Sequence, residues 1–329
     1  GANGFLGSWL CKTLSEQGFY VRAFVRKGSD VSDLQGIPCD FAYGDITQYE
    51  SIIPALNEID VVFHLAGIVA YRASDQAMME KVNVDGTSLL VAACKAQKTP
   101  QKLEQKIPDL IFVSTVGTIG VGFSPSQILS ETAPYNASCL GIGYFESKRR
   151  AEEIVLASAD QMRVVIVNPS TMYGAGDAKK GSRSVQLKVA QAKLSFYTSG
   201  GVSVASVEDV AQGIVQAFRE GKPGERYILA GENMTLKQVF HHIAEAAGVQ
   251  PPRIFLPNFV IHAVAKYSEI LEKSGKKSPL ASQTARLSTL FHWFDSSKAQ
   301  RELGYRISNP VAAIHRSVSW MKKKGLLDK

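Results

Sequence analysis

Five short stretches of this sequence are apolar through most of their length, at residues 20–25, 39–43, 60–65, 110–113 and 164–167. Segments with helical apolar spacing separate them, notably 5–17, 77–96 and 144–157. In the first helical segment Leu6, Leu10 and Leu14 recur every fourth residue, and Gly18 stands where the helix should end. A strand with one wet face alternates apolar and polar residues, whereas a strand buried on both faces does not. Buried strands alternating with helices imply a parallel sheet covered on both sides. The expected fold class is therefore α/β, with a doubly wound parallel sheet.

After Asn168 the texture changes. Residues 169–201 are rich in Gly, Ser and Lys and read as a loop plus one helix over 184–193. A helix near Val207 and a strand over 226–229 rejoin the first sheet, and the remainder reads as mostly helical, punctuated by Pro251, Pro252 and Pro257. The domains expected are 1–168 with about 202–230, and a smaller, mostly helical C-terminal one from 169–201 with 231–329. One helix, over 259–271, has an apolar face that suits packing on its own domain. A lid over an apolar ligand or a membrane-surface contact is the alternative.

The sequence opens on a turn, Gly1-Ala2-Asn3-Gly4-Phe5-Leu6-Gly7, that runs into the first helix. Absent side chains at Gly1, Gly4 and Gly7 permit a tight turn, close approach of a pyrophosphate and close helix–strand packing. The helix N-terminus then offers unpaired N–H groups to phosphate. A strand is expected before such a turn, so a chain shortened by about ten residues is the expectation. The sheet becomes a Rossmann-type dinucleotide fold, with Gly1, Asn3, Gly4, Phe5, Leu6 and Gly7 against the cofactor.

The end of the next strand selects the cofactor. An acid there receives a ribose 2′-hydroxyl, whereas an arginine suits a 2′-phosphate. Here Val25 is followed by Arg26 and Lys27, with no acid before Asp30. A guanidinium fork beside an ammonium favours NADP(H), with NAD(H) as the alternative.

Tyr144 and Lys148 stand four residues apart in a helical segment and so share a face. A free phenol has a pKa near ~10, and a neighbouring ammonium is expected to lower it towards useful proton exchange. The run 110–113 ends in Ser114 and Thr115, at the sheet edge where open α/β folds bind ligands. A hydroxyl there can donate to a substrate carbonyl.

Net charge is +7, from 37 basic and 30 acidic residues, and the basic clusters are short. No nucleic-acid module accompanies them, so no nucleic-acid partner is expected. The four cysteines have no paired spacing and no histidine neighbours, which points to a reduced cytoplasmic protein without a metal site. No apolar run reaches the ~18 residues of a membrane span.

With those residues in hand, the chain resembles the extended short-chain dehydrogenase/reductase superfamily, the NAD-dependent epimerase/dehydratase family. The matching stretches are Gly1 to Gly7, Gly44-Asp45-Ile46, His64-Leu65-Ala66-Gly67, Val82-Asn83-Val84-Asp85-Gly86-Thr87, Ser114-Thr115, Tyr144 to Lys148 and Asn168-Pro169. Asp295 to Lys298 with Glu302 to Tyr305 is similar to its C-terminal signature. The resemblance is greatest to the dihydroflavonol 4-reductase-like and 3β-hydroxysteroid dehydrogenase-like branch. It implies that Asp45 and Ile46 border the adenine, that Leu65, Ala66 and Gly67 line the cofactor, and that Asn83 ties the centre together. It further implies that Thr115 rather than Ser114 is catalytic, that Pro169 and Ser170 lie near the nicotinamide, and that helices 77–96 and 144–157 form a homodimer.

Three departures weigh against nucleotide-sugar chemistry. Val116 and Gly117 stand where the resemblance would put a dehydratase's Asp-Glu pair, Ile119 where many epimerases carry Tyr, and no Arg follows Tyr173-Gly174 through Asp177. The expected function is an NADP(H)-dependent oxidoreductase acting on a carbonyl or secondary alcohol, with a hydrophobic one favoured by the apolar C-terminal residues. Its catalytic residues would be Thr115, Tyr144 and Lys148. An epimerase using the same three residues and a non-catalytic NADP(H)-sensing regulator are the rival readings.

Overall fold

The computed structural model describes residues 1–98, 106–176, 184–274, 276, 278 and 280–327. Residues 177–183, in the expected loop and including Asp177, Lys179 and Lys180, lie outside the described residues, as does Lys277. In chain order the first elements are α1 (Phe5–Glu16), β1 (Arg22–Val25), β2 (Asp40–Tyr43), α2 (Tyr49–Ile52) and β3 (Val61–His64). They are followed by α3 (Gln76–Met79), α4 (Gly86–Lys95), β4 (Asp109–Val113), α5 (Gly143–Leu156) and β5 (Val164–Pro169).

β4 and β5 are buried at every position, as their composition requires. They occupy the middle of a parallel sheet ordered β3-β4-β5 and closed by β9 (Arg226–Leu229), while β1 and β2 form a parallel pair of their own. The period of two divides their side chains between two cores. Ile111, Val113, Val165 and Val167 meet Leu6, Leu10 and Leu14 of α1, whereas Leu110, Phe112, Val164 and Ile166 meet Leu90, Val91, Ala151 and Val155. Both faces are thus covered, and the fold is the α/β, Rossmann-type arrangement expected.

α1 stops at Glu16, with Gly18 in the left-handed conformation at φ 80°, a position that suits glycine. The expected helix over 77–96 is α3 and α4 joined by a π-helical turn, Glu80–Asp85, that buries Asn83.

The C-terminal half departs further from expectation. Its elements are β6 (Thr171–Tyr173), α6 (Ser184–Ala190), β7 (Phe196–Tyr197), β8 (Gly201–Ser206) and α7 (Val207–Glu220). After β9 come β10 (Glu232–Thr235), α8 (Leu236–Ala247), β11 (Ile254–Phe255), α9 (Asn258–Lys273), α10 (Ser282–Leu287), β12 (Phe291–His292), α11 (Ser297–Leu303) and α12 (Pro310–Lys323). Six of these strands were not expected from composition. β8 pairs antiparallel with β10 and parallel with β6 and β12, and β7 pairs with β11. These strands are two to six residues long and are specified by partners distant in sequence, so no local apolar pattern marks them. α8 is capped at both ends, with Thr235 and Gln238 forming a reciprocal capping box and Gly248 ending the helix.

Candidate active site

Gly4 N–H donates to the Gly1 carbonyl at 3.0 Å, which folds the opening turn back on itself. A Cβ at Gly7 would lie 2.1 Å from the Gly1 oxygen, and one at Gly1 would lie 2.6 Å from the Leu65 carbonyl carbon. The turn is therefore pressed against the end of β3 with no room for side chains. α1 begins without a side-chain cap and with no acid in its first turn, which leaves its positive N-terminal end to an anion. Asn3 Nδ2 donates to the Asp30 carbonyl at 3.0 Å, Leu6 is buried in the core, and Phe5 packs against the same core.

Arg26 and Lys27 are exposed immediately beyond β1. Asp45, beyond β2, accepts from Thr47 N–H at 2.9 Å and from its hydroxyl at 2.8 Å. The Thr47 amide chiefly holds the Asp45 carboxyl below its usual range, with help from the Thr47 hydroxyl, Arg26 and Lys81. Lys81 therefore joins Arg26 near this carboxylate, a neighbour the sequence did not single out. Ile46 fills the space beside Gly86, whose Cβ would lie 3.0 Å from its side chain.

Asn83 holds the next part of the rim. Its Oδ1 accepts from Ile68 N–H at 2.7 Å, and its Nδ2 donates to the Ile68 carbonyl and to Ser147 Oγ, both at 3.0 Å. The loop of Leu65, Ala66 and Gly67 is thereby tied to α5. Thr87 donates to the Asn83 carbonyl at 2.6 Å, so at 2.9 Å it must accept from His64 Nε2. Burial, then the nearby Lys148 charge, keep His64 well below its usual pKa.

At the carboxyl end of β4 the hydroxyls and the α5 side chains meet. Lys148 Nζ is buried, donates to the Val113 carbonyl at 2.9 Å and lies 4.1 Å from the centre of the Phe112 ring. Burial lowers its pKa to about 8, with Glu152 opposing that shift. Tyr144 shares a hydrogen bond with Thr115, and its ring meets that of Tyr71 edge-on at 6.2 Å. Thr115 Oγ1 also accepts from Gly117 N–H at 3.3 Å.

One electrostatic expectation is corrected. Tyr144 is not acidified in this state: burial, then Tyr71, push its phenol above the ordinary value, and the Thr115 hydrogen bond only partly offsets them. Desolvation of the phenolate is the dominant cause.

Ser114 Oγ and, just beyond Pro169 at the end of β5, Ser170 Oγ are buried without a hydrogen-bond partner among the described residues. Two orphaned hydroxyls at one sheet edge, opposite a glycine cradle and an uncapped helix end, fit a dinucleotide with a polar ring and a pyrophosphate. Sequence reasoning missed the network beneath them. Glu152 Oε1 accepts from Thr118 at 2.6 Å and from Asn168 Nδ2 at 2.8 Å, while Oε2 pairs with Arg226 at 3.1 Å. It also missed Tyr71 and the half-buried His292, whose pKa burial lowers to about 4. The only signal for Glu152 was its position one turn beyond Lys148.

Residues 1–230 match the model for the NAD dependent epimerase/dehydratase family. The chain belongs to that family. Over 99% of its length it is 30% identical to a putative dihydroflavonol 4-reductase of Synechocystis, covering 94% of that protein. It is 28% identical to sterol demethylase protein B of Methylococcus capsulatus, over 99% of this chain and 98% of that one. Among solved structures, gox2253 superposes with a TM-score of 0.85 at 32% identity, covering 99% of this chain and 97% of that one. The UDP-glucose 4-epimerase of Thermus thermophilus, at 19% identity and a TM-score of 0.75 over 98% of this chain and 97% of that one, shares the fold. This family member is thus an extended short-chain dehydrogenase/reductase-type enzyme with reductase and dehydrogenase relatives. Among the described residues no helix is long and apolar enough to cross a membrane.

Proposed function

We propose that this family member is an NADP(H)-dependent oxidoreductase that interconverts a carbonyl and a secondary alcohol. The observation that carries the reading is the meeting of Thr115, Tyr144 and Lys148 at the carboxyl end of β4. Bound NADPH would supply the hydride, or NADP⁺ would accept it. The turn from Gly1 to Gly7 and the α1 N-terminus would hold the pyrophosphate, with Arg26 and Lys27 at the 2′-phosphate and Asp45 and Ile46 at the adenine. Leu65, Ala66, Gly67, Ser114, Pro169 and Ser170 would line the rest of the cofactor. Residues 169–201 and 231–329 would build the substrate side.

In reduction Tyr144 O–H gives its proton to the developing alkoxide, and Thr115 donates to the same oxygen. The raised Tyr144 pKa keeps that proton in place at neutral pH. Lys148 holds the ribose and, as a charged neighbour, stabilises the phenolate left behind. Around Tyr144 the surroundings are apolar, with Tyr71, Phe145, Leu287 and Leu290 packed together, which favours an apolar or aromatic carbonyl compound.

The test is NADPH oxidation against aromatic, steroidal and sugar carbonyls. Tyr144→Phe should lower turnover by at least about a hundredfold while NADPH binding persists; wild-type turnover in that variant would refute the assignment. Substrate isomerised without net NADPH consumption would instead identify an epimerase. Arg26→Asp should reverse the preference between NADPH and NADH, and an unchanged KM ratio would remove Arg26 from the cofactor site.

A further inference from the structure

α9 buries one face and leaves another, also apolar, in solvent. Ile261, Ala265 and Ser268 are buried against Leu256, Leu280 and Ala285. At about 100° per residue, Phe259, Ala263, Tyr267 and Ile270 fall within roughly 80° of one another on the opposite side. Phe259 is 75% exposed, Tyr267 60% and Ile270 59%. A water-facing helix normally puts polar residues there. The strand preceding α9 adds exposed apolar surface, with Ile254 beside Phe196 in register and both exposed. Lys266 and Lys273 flank the stripe, Lys276 follows it and Arg253 precedes it, all exposed. The acid close by, Glu269, is bound to Lys273 and Arg286.

We propose that this face of α9 is a docking surface for an anionic lipid bilayer. An apolar stripe edged by lysines can lie at the level of the headgroups, rings in the acyl boundary and ammonium groups on the phosphates. A second copy of the same face is a poor occupant, because a two-fold contact would set lysine against lysine. A bilayer supplies the complementary charge.

The placement has a consequence for the catalytic cleft. α10 packs on α9, Gln283 donates to the Gly141 carbonyl at 3.1 Å, and Arg286 donates to the Leu140 carbonyl at 3.4 Å. Glu272 pairs with Arg72, the residue after Tyr71. The docked helix is therefore fastened to the loop that leads into Tyr144 and to the segment facing it. An apolar carbonyl dissolved in the lipid would have a short path to the cleft, a step that rests on the reductase reading.

The experiment is sedimentation of the full chain with vesicles, without substrate, so that docking and the reductase reading can fail separately. Binding is expected to vesicles holding roughly one-third phosphatidylglycerol, weakly to pure phosphatidylcholine, and less at high salt. Lys266→Glu and Lys276→Glu should each weaken it by about fivefold or more. Phe259→Glu with Ile270→Glu should abolish it while NADPH binding and circular dichroism stay unchanged, since both side chains already face water. No binding to the anionic vesicles, or undiminished binding by the double variant, would overturn the proposal. So would a parent dimer that the double variant converts to monomer, because a second copy would then own the face.

Discussion

Lys148 concentrates the site's electrostatics in one atom. Among the described residues its ammonium has one hydrogen-bond acceptor, the Val113 carbonyl, and otherwise sits over the Phe112 ring. Burial disfavours the charged form, hence the fall to about 8. The sign follows directly: as pH rises through about 8 the protein loses this charge, whereas the unfolded chain keeps it until about 10.5. The depressed pKa therefore costs stability below pH 8 and is relieved between pH 8 and 10.5. Catalysis responds in the opposite sense. In the proposed reduction, kcat/KM for the carbonyl should fall as pH climbs past about 8, and Lys148→Met should abolish that limb. A pH–rate profile whose alkaline limb is unaltered in Lys148→Met would assign the titration to another group. The two catalytic candidates four residues apart were legible because helical periodicity is a local property. That the tyrosine would be less acidic than a free phenol was not legible, because burial is set by residues such as Tyr71 that are remote in sequence.

At the scale of elements, α5 does more than present Tyr144 and Lys148. The same turn brings Ser147 to Asn83 and the next brings Glu152 to Asn168, Thr118 and Arg226, so one helix is fastened to the rim of the sheet by buried polar groups. Buried networks of this kind tolerate little loss, since each orphaned partner retains its desolvation cost. Glu152→Gln removes the negative charge that supports the Lys148 ammonium. The alkaline limb should consequently move to lower pH, with kcat near neutrality reduced, measured by the same rate profile. An unshifted limb with lowered thermal stability would mark Glu152 as purely structural. The strands β3, β4 and β5 could be read from composition because each lies in a largely apolar run, and β9 because three apolar residues follow Arg226. β6, β8, β10 and β12 could not, because Gly201 to Ser206 and Glu232 to Thr235 contain few apolar residues in sequence and become a sheet only through one another.

For the whole molecule, the contacts that matter join the parallel sheet of β3, β4, β5 and β9 to the sheet built around β8. Phe294, just beyond β12, is buried with Val116 and Ile119 from the segment that follows Thr115, and with Ile228 and Ala230 at the end of β9. Its backbone N–H is held by Ser203 Oγ of β8 at 3.0 Å. One aromatic ring thus braces the Thr115 segment from the C-terminal side. Phe294→Ala should cost about 3–5 kcal/mol, since the cavity would open between two sheets that cannot both collapse into it. Thermal unfolding should register that loss, and turnover should fall with it because the Thr115 segment loses its support. A variant with unchanged melting temperature would show that the junction is held elsewhere.

Amino-acid order alone determined the parallel sheet, the glycine turn and the shared helix face of Tyr144 and Lys148, since apolar runs, absent side chains and helical spacing are properties of neighbouring residues. Tertiary structure decided the second sheet, the polar network around Glu152, the direction of the Tyr144 and Lys148 shifts and the exposure of the α9 stripe. Each depends on which distant groups exclude water from a given atom, and dielectric environment is a property of the packed molecule that no stretch of chain carries by itself.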